Sequence, residues 1–323
     1  MTKFTRRTVL AGLAAVLTTP GRSDTGWPNR PITLVHGFAP GGPTDTVARI
    51  VAEELSKRLG QQVVVDGRPG ASGTTAAGQV ARAAPDGYTL IAIPGGHATA
   101  EVLYRRLPYR TVDDFSMISM TSEYPFAFVT YSDHTIRTMA DLIGTARSRK
   151  TPLLYGSPGI GSIHHLSVEL LASMANIQLQ HIPYRGSAQT VTDLIGKRID
   201  FMIDAPTLIL EFVRNGRLRA LGVTGASRFF SLPNVPTISE TALPGYVITS
   251  WQGLAGPVGM PASIVDRLNG EMAEILAEPV VIERLRNLGN DPKFSSPGEF
   301  RARVVADIEK WTGVVAAANI ERI

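Results

Sequence analysis

Residues 32–60 read ITLVHGFAPGGPTDTVARIVAEELSKRLG, and this stretch decides the fold because it contains one complete strand–turn–helix unit. It opens with a short apolar run, residues 32–35, that is typical of a buried strand. A glycine-rich turn follows, and Gly60 stands where a helix C-terminus favours glycine. Between them, apolar residues recur with helical spacing at Val47, Ile50, Val51, Leu55 and Leu59. The stretch therefore predicts a strand that leads through a glycine-rich turn into an amphipathic helix.

Outward from this unit, short apolar runs bounded by Gly, Pro or Asp alternate with helical patterns. The other runs predicted to be strands are 63–65, 89–93, 126–131, 153–155, 201–203 and 220–223. A second helical pattern begins at His165, with Leu166, Leu170, Leu171 and Met174 on one face. Short strands that alternate with helices predict an α/β fold, with parallel sheet covered by helices on both faces.

The C-terminal third is predicted to be helical. Ser296 and Glu299 have the spacing of a capping box, and Pro297 occupies the first helical position. The helix that follows has a buried stripe of Phe300, Val304, Ile308 and Trp311. No Pro/Ser-rich linker interrupts the chain, so two domains would be joined by ordered strands.

A second glycine-rich turn, residues 155–162 (YGSPGIGS), resembles the first in following a predicted strand and preceding a predicted helix. Such turns expose backbone N–H groups at a helix N-terminus, where the helix dipole favours an anion. Thr44, Ser157 and Ser162 add hydroxyl donors. One turn alone is explained better as an ordinary strand–helix connection, whereas two that face one crevice favour an anion-binding site.

The sequence carries few signs of other chemistry. Neither turn has the spacing of a dinucleotide fingerprint, a phosphate loop or a G-x-S-x-G nucleophile elbow. His164 and His165 are adjacent, so on a helix they face different directions and cannot both bind one metal ion. The chain has no cysteine, which excludes disulfides and thiolate sites. We expect no metal and no cofactor.

The first 26 residues have the features of an export signal. Lys3, Arg6 and Arg7 precede an apolar run, residues 9–17, that is too short to span a bilayer. Residues 5–10 (TRRTVL) also resemble the twin-arginine export motif. The alternative is a disordered tail with a chance arginine pair.

The charge outside this leader is close to balanced. The leader holds four basic residues against one acidic residue, so the formal net charge of +4 falls to +1 without it. No basic stripe remains that would bind nucleic acid or an anionic membrane.

Motifs along nearly the whole chain resemble the extracytoplasmic solute receptors of tripartite tricarboxylate transporters, the Bug family. The matching segments are FAPGG (38–42) with Asp45, LGQ (59–61), RPGA (68–71), PDGYTL (85–90), YGS (155–157), HL (165–166), HIPYRG (181–186), RAL (219–221), PNVPT (233–237) with Glu240, and WQG (251–253) with Pro257.

The resemblance implies a type II periplasmic-binding-protein architecture, with two α/β lobes joined by crossing strands and a ligand cleft between them. It implies a leader at 1–26, a first lobe of residues 27–125 with 247–323, and a second lobe of residues 126–246. The ligand-binding residues carried over by resemblance are Phe38, Ala39, Gly41, Gly42, Thr44 and Asp45 from the first lobe, and Ser157, Gly159, Ser162, His165, Tyr184 and Asp204 from the second.

The chain departs from the family pattern at a few positions. His36-Gly37 stands where the family more often has Val-Pro, directly before the first turn. Gly95-Gly96-His97 is also atypical, and we consider that it lines the cleft. These departures bear on the identity of the ligand more than on the fold.

We therefore expect a monomeric periplasmic receptor that binds a small carboxylate, such as a dicarboxylate, an aromatic acid or an amino acid. Its partners would be membrane transporter subunits. Two alternatives remain at this point: an α/β enzyme that acts on an anionic substrate, and a ligand-sensing module for a signalling partner. The leader and the lack of a nucleophile–base pair favour the receptor over the enzyme.

Overall fold

A computed structural model describes residues 26–322 of the protein, so the predicted leader lies outside the described residues. The strands are β1 (Ile32–His36), β2 (Val63–Gly67), β3 (Thr89–Pro94), β4 (Phe115–Pro125), β5 (Ala127–Tyr131), β6 (Leu153–Ser157), β7 (Leu179–Pro183), β8 (Phe201–Asp204), β9 (Leu218–Val223), β10 (Thr249–Pro257) and β11 (Asp291–Pro292). Each strand predicted from the sequence is present.

The helices surround these strands. They are α1 (Pro43–Leu59), α2 (Thr74–Val80), α3 (Gly96–Leu103), α4 (Met139–Ser148), α5 (Ile163–Ala175), α6 (Ser187–Ile195), α7 (Pro206–Arg214), α8 (Ile238–Thr241), α9 (Ala262–Ile275), α10 (Pro279–Asn287) and α11 (Pro297–Ala317). A 3₁₀ turn, Ala71–Gly73, precedes α2. Within residues 26–322, no helix is long and apolar enough to cross a bilayer.

The strands form two sheets, and each sheet with its helices is called a lobe here. Within the described range, the sheet of lobe 1 has the order β11-β4-β10-β3-β1-β2, and that of lobe 2 has the order β7-β6-β8-β5-β9. Both sheets are mixed, whereas the sequence predicted parallel sheet. The antiparallel strands are β10 and the short edge strand β11 in lobe 1 and β5 in lobe 2. The chain enters lobe 2 through β5 and returns to lobe 1 through β10.

Thr224 joins the two segments on which the chain passes between the lobes. Its hydroxyl accepts a hydrogen bond from the backbone N–H of Phe126 at 2.8 Å and donates to the carbonyl of Ile248 at 2.6 Å. Its own backbone N–H donates to the carbonyl of Phe126 at 2.9 Å. Because Thr224 is fully buried, these bonds are shielded from water and fix the crossing point.

Helix α11 packs on both lobes. It begins at the predicted capping box, in which Glu299 N–H donates to Ser296 Oγ and Ser296 N–H donates to the Glu299 carboxylate. Its first half places Phe300 and Val304 in the core of lobe 1, and Trp311 and Val314 in its second half belong to the core of lobe 2. The predicted stripe is thus divided between two cores. The stripe predicted for α5 is less complete, since Met174 is exposed.

Candidate functional site

The first glycine-rich turn, residues 37–42, connects β1 to α1 and is called turn 1. Gly41 has φ 78°, which is the left-handed region that only glycine adopts without strain. Gly37 lies against the backbone of Gly73, where a Cβ atom would come within 2.3 Å of Gly73 Cα. Residues 70–74, which include Gly70 and Ala71 of the RPGA motif, therefore pack against turn 1 and restrict its backbone.

Asp45, in the first turn of α1, holds turn 1 in place. Its carboxylate accepts hydrogen bonds from Gly41 N–H and Arg49 Nε at 2.9 Å each, and contacts His36 Nε2 at 2.9 Å. Burial alone would raise the pKa of Asp45, but the hydrogen bonds from Arg49 and Gly41 outweigh it and lower the pKa below its usual value. Asp45 is buried, and its oxygens are used within the protein.

His36 supports the same turn from the end of β1. It is fully buried, and its Nδ1 accepts the backbone N–H of Phe38 at 3.4 Å. Because Nδ1 is an acceptor, the ring proton is on Nε2 and is donated to Asp45. The atypical His36 therefore links the strand, the turn and the helix.

The second glycine-rich turn, residues 158–162, connects β6 to α5 and is called turn 2. It repeats the construction of turn 1 with different residues. Gly161 has φ 76°, and its N–H donates at 3.0 Å to the side chain at the third position of the following helix, here His165 Nδ1. Ser162 caps the helix, since its Oγ accepts the N–H of His165 at 3.2 Å. In both lobes, then, a left-handed glycine is bonded to a side chain in the first helical turn.

Three stacked rings lie beneath turn 2. The ring of His181 stacks on His165 with 4.0 Å between centroids and on Tyr155 with 4.9 Å. Burial lowers the pKa of His165 to about 4, and burial together with the nearby His165 lowers the pKa of His181 to about 3. Both rings are therefore neutral at neutral pH, so His165 Nδ1 is able to accept the Gly161 N–H.

The two turns leave backbone donors at their helix N-termini. Among residues 26–322, the N–H groups of Thr44 and Asp45 in α1 and of Ile163 and His164 in α5 have no hydrogen-bond acceptor. Both helices follow parallel strands, and ligands of α/β proteins bind at the carboxyl ends of such strands. Each turn can therefore bind an oxygen anion through backbone N–H groups and the helix dipole.

Several predicted side-chain donors are turned into the protein. Thr44 is buried and lines a small internal cavity with Thr121 and Gln252. Ser157 is fully buried, with its Oγ 2.6 Å from His181 Nε2 and 2.9 Å from the carbonyl of Gly159. The Tyr184 hydroxyl donates to Asp193 at 3.0 Å.

The other predicted residues lie in or beside the turns. Ala39 and Gly41 are exposed, Gly42, Gly159 and Ser162 are half-buried, and the Phe38 ring packs on Gly73. Ser162 Oγ donates to the carbonyl of Gly159 at 2.8 Å. His97, by contrast, does not line the cleft: it is buried in lobe 1, where its ring stacks on Tyr109.

Asp204 is buried at the end of β8, the central strand of lobe 2. Its Oδ1 accepts the N–H of Ala205 at 2.8 Å and lies 3.4 Å from His164 Nε2. Its Oδ2 has no hydrogen-bond partner among the described residues.

The two lobes touch at two places. Gly161 of turn 2 lies against the side chain of Leu103 from lobe 1, which a Cβ atom would approach within 2.6 Å. Gly289 of lobe 1 lies against Pro206 of lobe 2, directly after Asp204 and Ala205. The predicted residues of turn 2 and Asp204 thus lie on the side of lobe 2 that meets lobe 1.

Ser157 and His181 do not form the nucleophile–base pair of a hydrolase, although they are hydrogen-bonded. Ser157 is fully buried, so a substrate cannot reach its hydroxyl. Within residues 26–322, no group of His, Asp and Glu side chains has the arrangement of a metal site.

Sequence reasoning missed the supporting roles of His36, His181 and Gly73. His36 was noticed as a departure from the family pattern, and His181 and the residues before Gly73 lie in or beside matching motifs. That these three residues contact or underlie the turns is visible only in the three-dimensional structure.

Comparison with known proteins identifies a family whose members are similar to this chain. A family model described as the tripartite tricarboxylate transporter family receptor matches residues 47–320. A protein of Pseudomonas sp. strain P51, encoded in the tcbD-tcbE intergenic region, is 39% identical over 96% of this chain and 94% of its own length. Protein BugT of Bordetella pertussis is 33% identical over 94% of this chain and 93% of its own length.

Solved structures show the same fold. Rpa4515 of R. palustris with adipate has 37% identity and a TM-score of 0.85, covering 92% of this chain and 100% of that one. The periplasmic binding protein BugD has 33% identity and a TM-score of 0.81, covering 91% and 99%. MatC of Rhodopseudomonas palustris with bound malate has 32% identity and a TM-score of 0.79, covering 90% and 100%.

Proposed function

Because the chain belongs to the receptor family of the tripartite tricarboxylate transporters, we propose that it captures a small dicarboxylate between its lobes for such a transporter. Members of this family are solute receptors, so the protein is a binding protein and not an enzyme. Carboxylate binding agrees with the relatives that hold adipate and malate.

The observation that carries the proposal is the matched construction of the two turns. In each, a left-handed glycine and a side chain of the next helix fix the backbone so that unpaired N–H groups remain at a helix N-terminus. Such donors stabilise an anion without a cationic side chain. Two of them, one in each lobe, suit a ligand with a carboxylate at each end.

Closure of the lobes would allow a membrane partner to distinguish the ligand-bound receptor from the empty one. We assign residues 27–125 and 247–323 to one lobe and residues 126–246 to the other. A ligand that contacts both turns stabilises the closed arrangement over the open one, and a membrane partner would recognise the closed form.

The proposed site uses mostly backbone groups. The backbone N–H groups of Thr44 and Asp45 in lobe 1 and of Ile163 and His164 in lobe 2 would bind the carboxylates. The turn residues beside them would contact the ligand: Ala39, Gly41, Gly42, Gly159 and Ser162. The side chains of Asp45 and His165 would fix the turns instead of contacting the ligand, since their side-chain polar atoms already bond to Gly41 and Gly161. The receptor would act as a monomer in the periplasm after export and removal of the leader.

Replacement of Gly42 by Asp tests the site. Gly42 has φ −75°, which any residue adopts, and an added Cβ would meet only the carbonyl oxygen of Ala39, at 3.2 Å. The change therefore places a negative charge beside the N-terminus of α1 at the cost of a small shift of that carbonyl. We expect dicarboxylate binding to be lost in isothermal titration calorimetry while the melting temperature stays within a few degrees. Gly298→Asp is the matched control, because Gly298 lies in the first turn of α11 with open space around it and should leave affinity unchanged. If Gly42→Asp binds the dicarboxylate with wild-type affinity, the assignment of turn 1 to the binding site is wrong.

A thermal-shift screen of residues 27–323 identifies the ligand class. The screen would include C4–C8 dicarboxylates, tricarboxylates, aromatic acids and acidic amino acids. A ligand at about 100 times its dissociation constant adds about 2.7 kcal/mol to the free energy of unfolding. If no acid raises the melting temperature, the carboxylate proposal is wrong.

A further inference from the structure

Asp204 carries a hydrogen-bond acceptor that the protein leaves unpaired. The residue is 3% exposed, and Oδ2 has no donor within the described part of the chain. Its other oxygen is held in place by Ala205 N–H and lies beside His164 Nε2. A buried acceptor without a donor is costly, and in a native protein such a group calls for an explanation.

The position of Asp204 in the fold points to the cleft. In the sheet of lobe 2, β8 lies between β6, which leads into turn 2, and β5, which enters from the crossing segment. Asp204 pairs with Ala127 at the first residue of β5. His164, its neighbour, lies in the first turn of α5 directly after turn 2. Asp204 therefore lies at the carboxyl end of the central strand, beside the helix N-terminus that is proposed above to bind an anion.

Lobe 1 covers this edge. Gly289 lies against Pro206 and Thr207, and Asn290 Nδ2 contacts Thr207 Oγ1 at 3.4 Å. These contacts lie on the segment that directly follows Asp204, so a separation of the lobes of the kind proposed above would remove them and open this end of β8. A ligand could then approach Asp204 before the lobes close again.

We propose that Asp204 selects dicarboxylates that carry a hydrogen-bond donor, a hydroxyl or an ammonium group, on the carbon next to a carboxylate. The inference rests on the proposed function, in which the turns bind the carboxylates. A carboxylate oxygen accepts from O–H or N–H groups but repels a second carboxylate, so Asp204 suits the substituent and not the acid groups. His164 is a positioning residue that orients the carboxyl group through Oδ1.

This selectivity would separate the protein from a receptor for plain dicarboxylates. Succinate and adipate have no donor between their carboxylates, so they would leave Oδ2 unpaired in the closed cleft. L-malate and L-aspartate have one at the second carbon. Loss of a hydrogen bond to a charged group corresponds to roughly a 10- to 100-fold change in affinity.

The test is calorimetric titration of the wild type and Asp204→Asn with succinate, L-malate and L-aspartate. The wild type should bind L-malate or L-aspartate at least about tenfold more tightly than succinate. The asparagine keeps the acceptor for Ala205 N–H and places an NH₂ donor where Oδ2 stood. An ammonium group cannot accept from this donor, so the preference for L-aspartate should disappear, whereas a hydroxyl can accept from it, so the preference for L-malate should fall less; succinate affinity should stay within about twofold. Comparison of L-malate with L-aspartate distinguishes a hydroxyl from an ammonium group.

The outcomes separate this inference from the proposed function. If succinate binds the wild type as tightly as both substituted acids, the selectivity is wrong although the receptor assignment stands. If Asp204→Asn weakens all three ligands equally, Asp204 is a structural residue and the inference fails. If none of the dicarboxylates binds the wild type, the proposed function itself fails. Should Asp204→Asn not fold, the wild-type comparison still decides the matter, and His164→Gln should reduce the preference in the same direction.

Discussion

Replacement of His36 by valine, the residue that the family more often has at this position, should weaken ligand binding through turn 1. The change removes the bond to Asp45 Oδ1 at 2.9 Å and the acceptor for Phe38 N–H at 3.4 Å. Asp45 keeps its bonds to Gly41 and Arg49, so one buried carboxylate oxygen loses its partner. A lost hydrogen bond to a charged buried group costs about 1.5–3 kcal/mol.

The expected result is a lower melting temperature together with weaker binding. About 2 kcal/mol of lost stability corresponds to roughly 4–8 °C in a domain of this size. Because Asp45 and Phe38 are then less firmly positioned, we expect dicarboxylate affinity to fall about tenfold, equivalent to about 1.4 kcal/mol. Thermal denaturation measures the first quantity, and calorimetric titration with the best ligand measures the second.

His134→Val is a closely matched control. His134 is also buried, its Nδ1 accepts the N–H of the residue two positions later, Ile136, and its Nε2 contacts Asp200 at 3.5 Å. It lies just after β5, at the opposite end of that strand from the crossing point. His134→Val should lose stability but keep wild-type affinity. If both variants lose stability and neither loses affinity, the argument that His36 positions turn 1 is refuted.

Two further predictions concern turn 2. Gly161→Ala should lower the melting temperature and weaken binding, because the new Cβ meets Leu103 at 2.6 Å and the residue has φ 76°. Gly144→Ala, in open space within α4, is the control and should change neither quantity. If both variants have the same melting temperature and affinity, the close contact between Gly161 and Leu103 does not matter for binding. The pKa of His165 is lowered from 6.5 to about 4, so the unfolded state binds the proton more readily between these values. The contribution of neutral His165 to the free energy of unfolding is therefore fully present above pH 6.5, and up to about 3 kcal/mol of it is lost as the pH drops to 4. Denaturation across this range should show a shallower pH dependence in His165→Gln, and an unchanged slope would disprove the assignment.

The sequence predicted the fold well where a signal is local. Gly60 ends α1 in the left-handed conformation, and Ser296 with Glu299 forms both bonds of the capping box. These signals depend on residues a few positions apart, so the chain alone contains the information. The direction of β10 was not predictable in this way, because its antiparallel pairing depends on where the chain returns from lobe 2.

The two turns of the candidate site were predictable from the sequence, whereas the direction of their side chains was not. The glycine turns stood out because glycine marks left-handed backbone, and both contain such a residue at Gly41 and Gly161. Thr44 and Ser157 have hydroxyl groups that suggest ligand donors, yet both are buried within the lobes. Side-chain direction at a helix N-terminus is set by packing against the sheet, which a linear pattern does not specify.

The two turns share a geometry but differ in charge, and this difference bears on how a dicarboxylate would be bound. Turn 1 is fixed by the carboxylate of Asp45, whose negative charge is offset by Arg49 and by the hydrogen bond from His36. Turn 2 is fixed by neutral His165, and two carboxylates lie near its donors: Glu169, to which the Tyr155 hydroxyl donates at 2.6 Å, and Asp204, whose Oδ1 lies 3.4 Å from His164 Nε2. Since like charges repel through a partly buried region, and the Asp45 carboxylate of turn 1 is paired with Arg49, an anion should be bound more strongly at turn 1 than at turn 2. One carboxylate of the ligand would then supply most of the binding free energy, and the other would be bound when the lobes close.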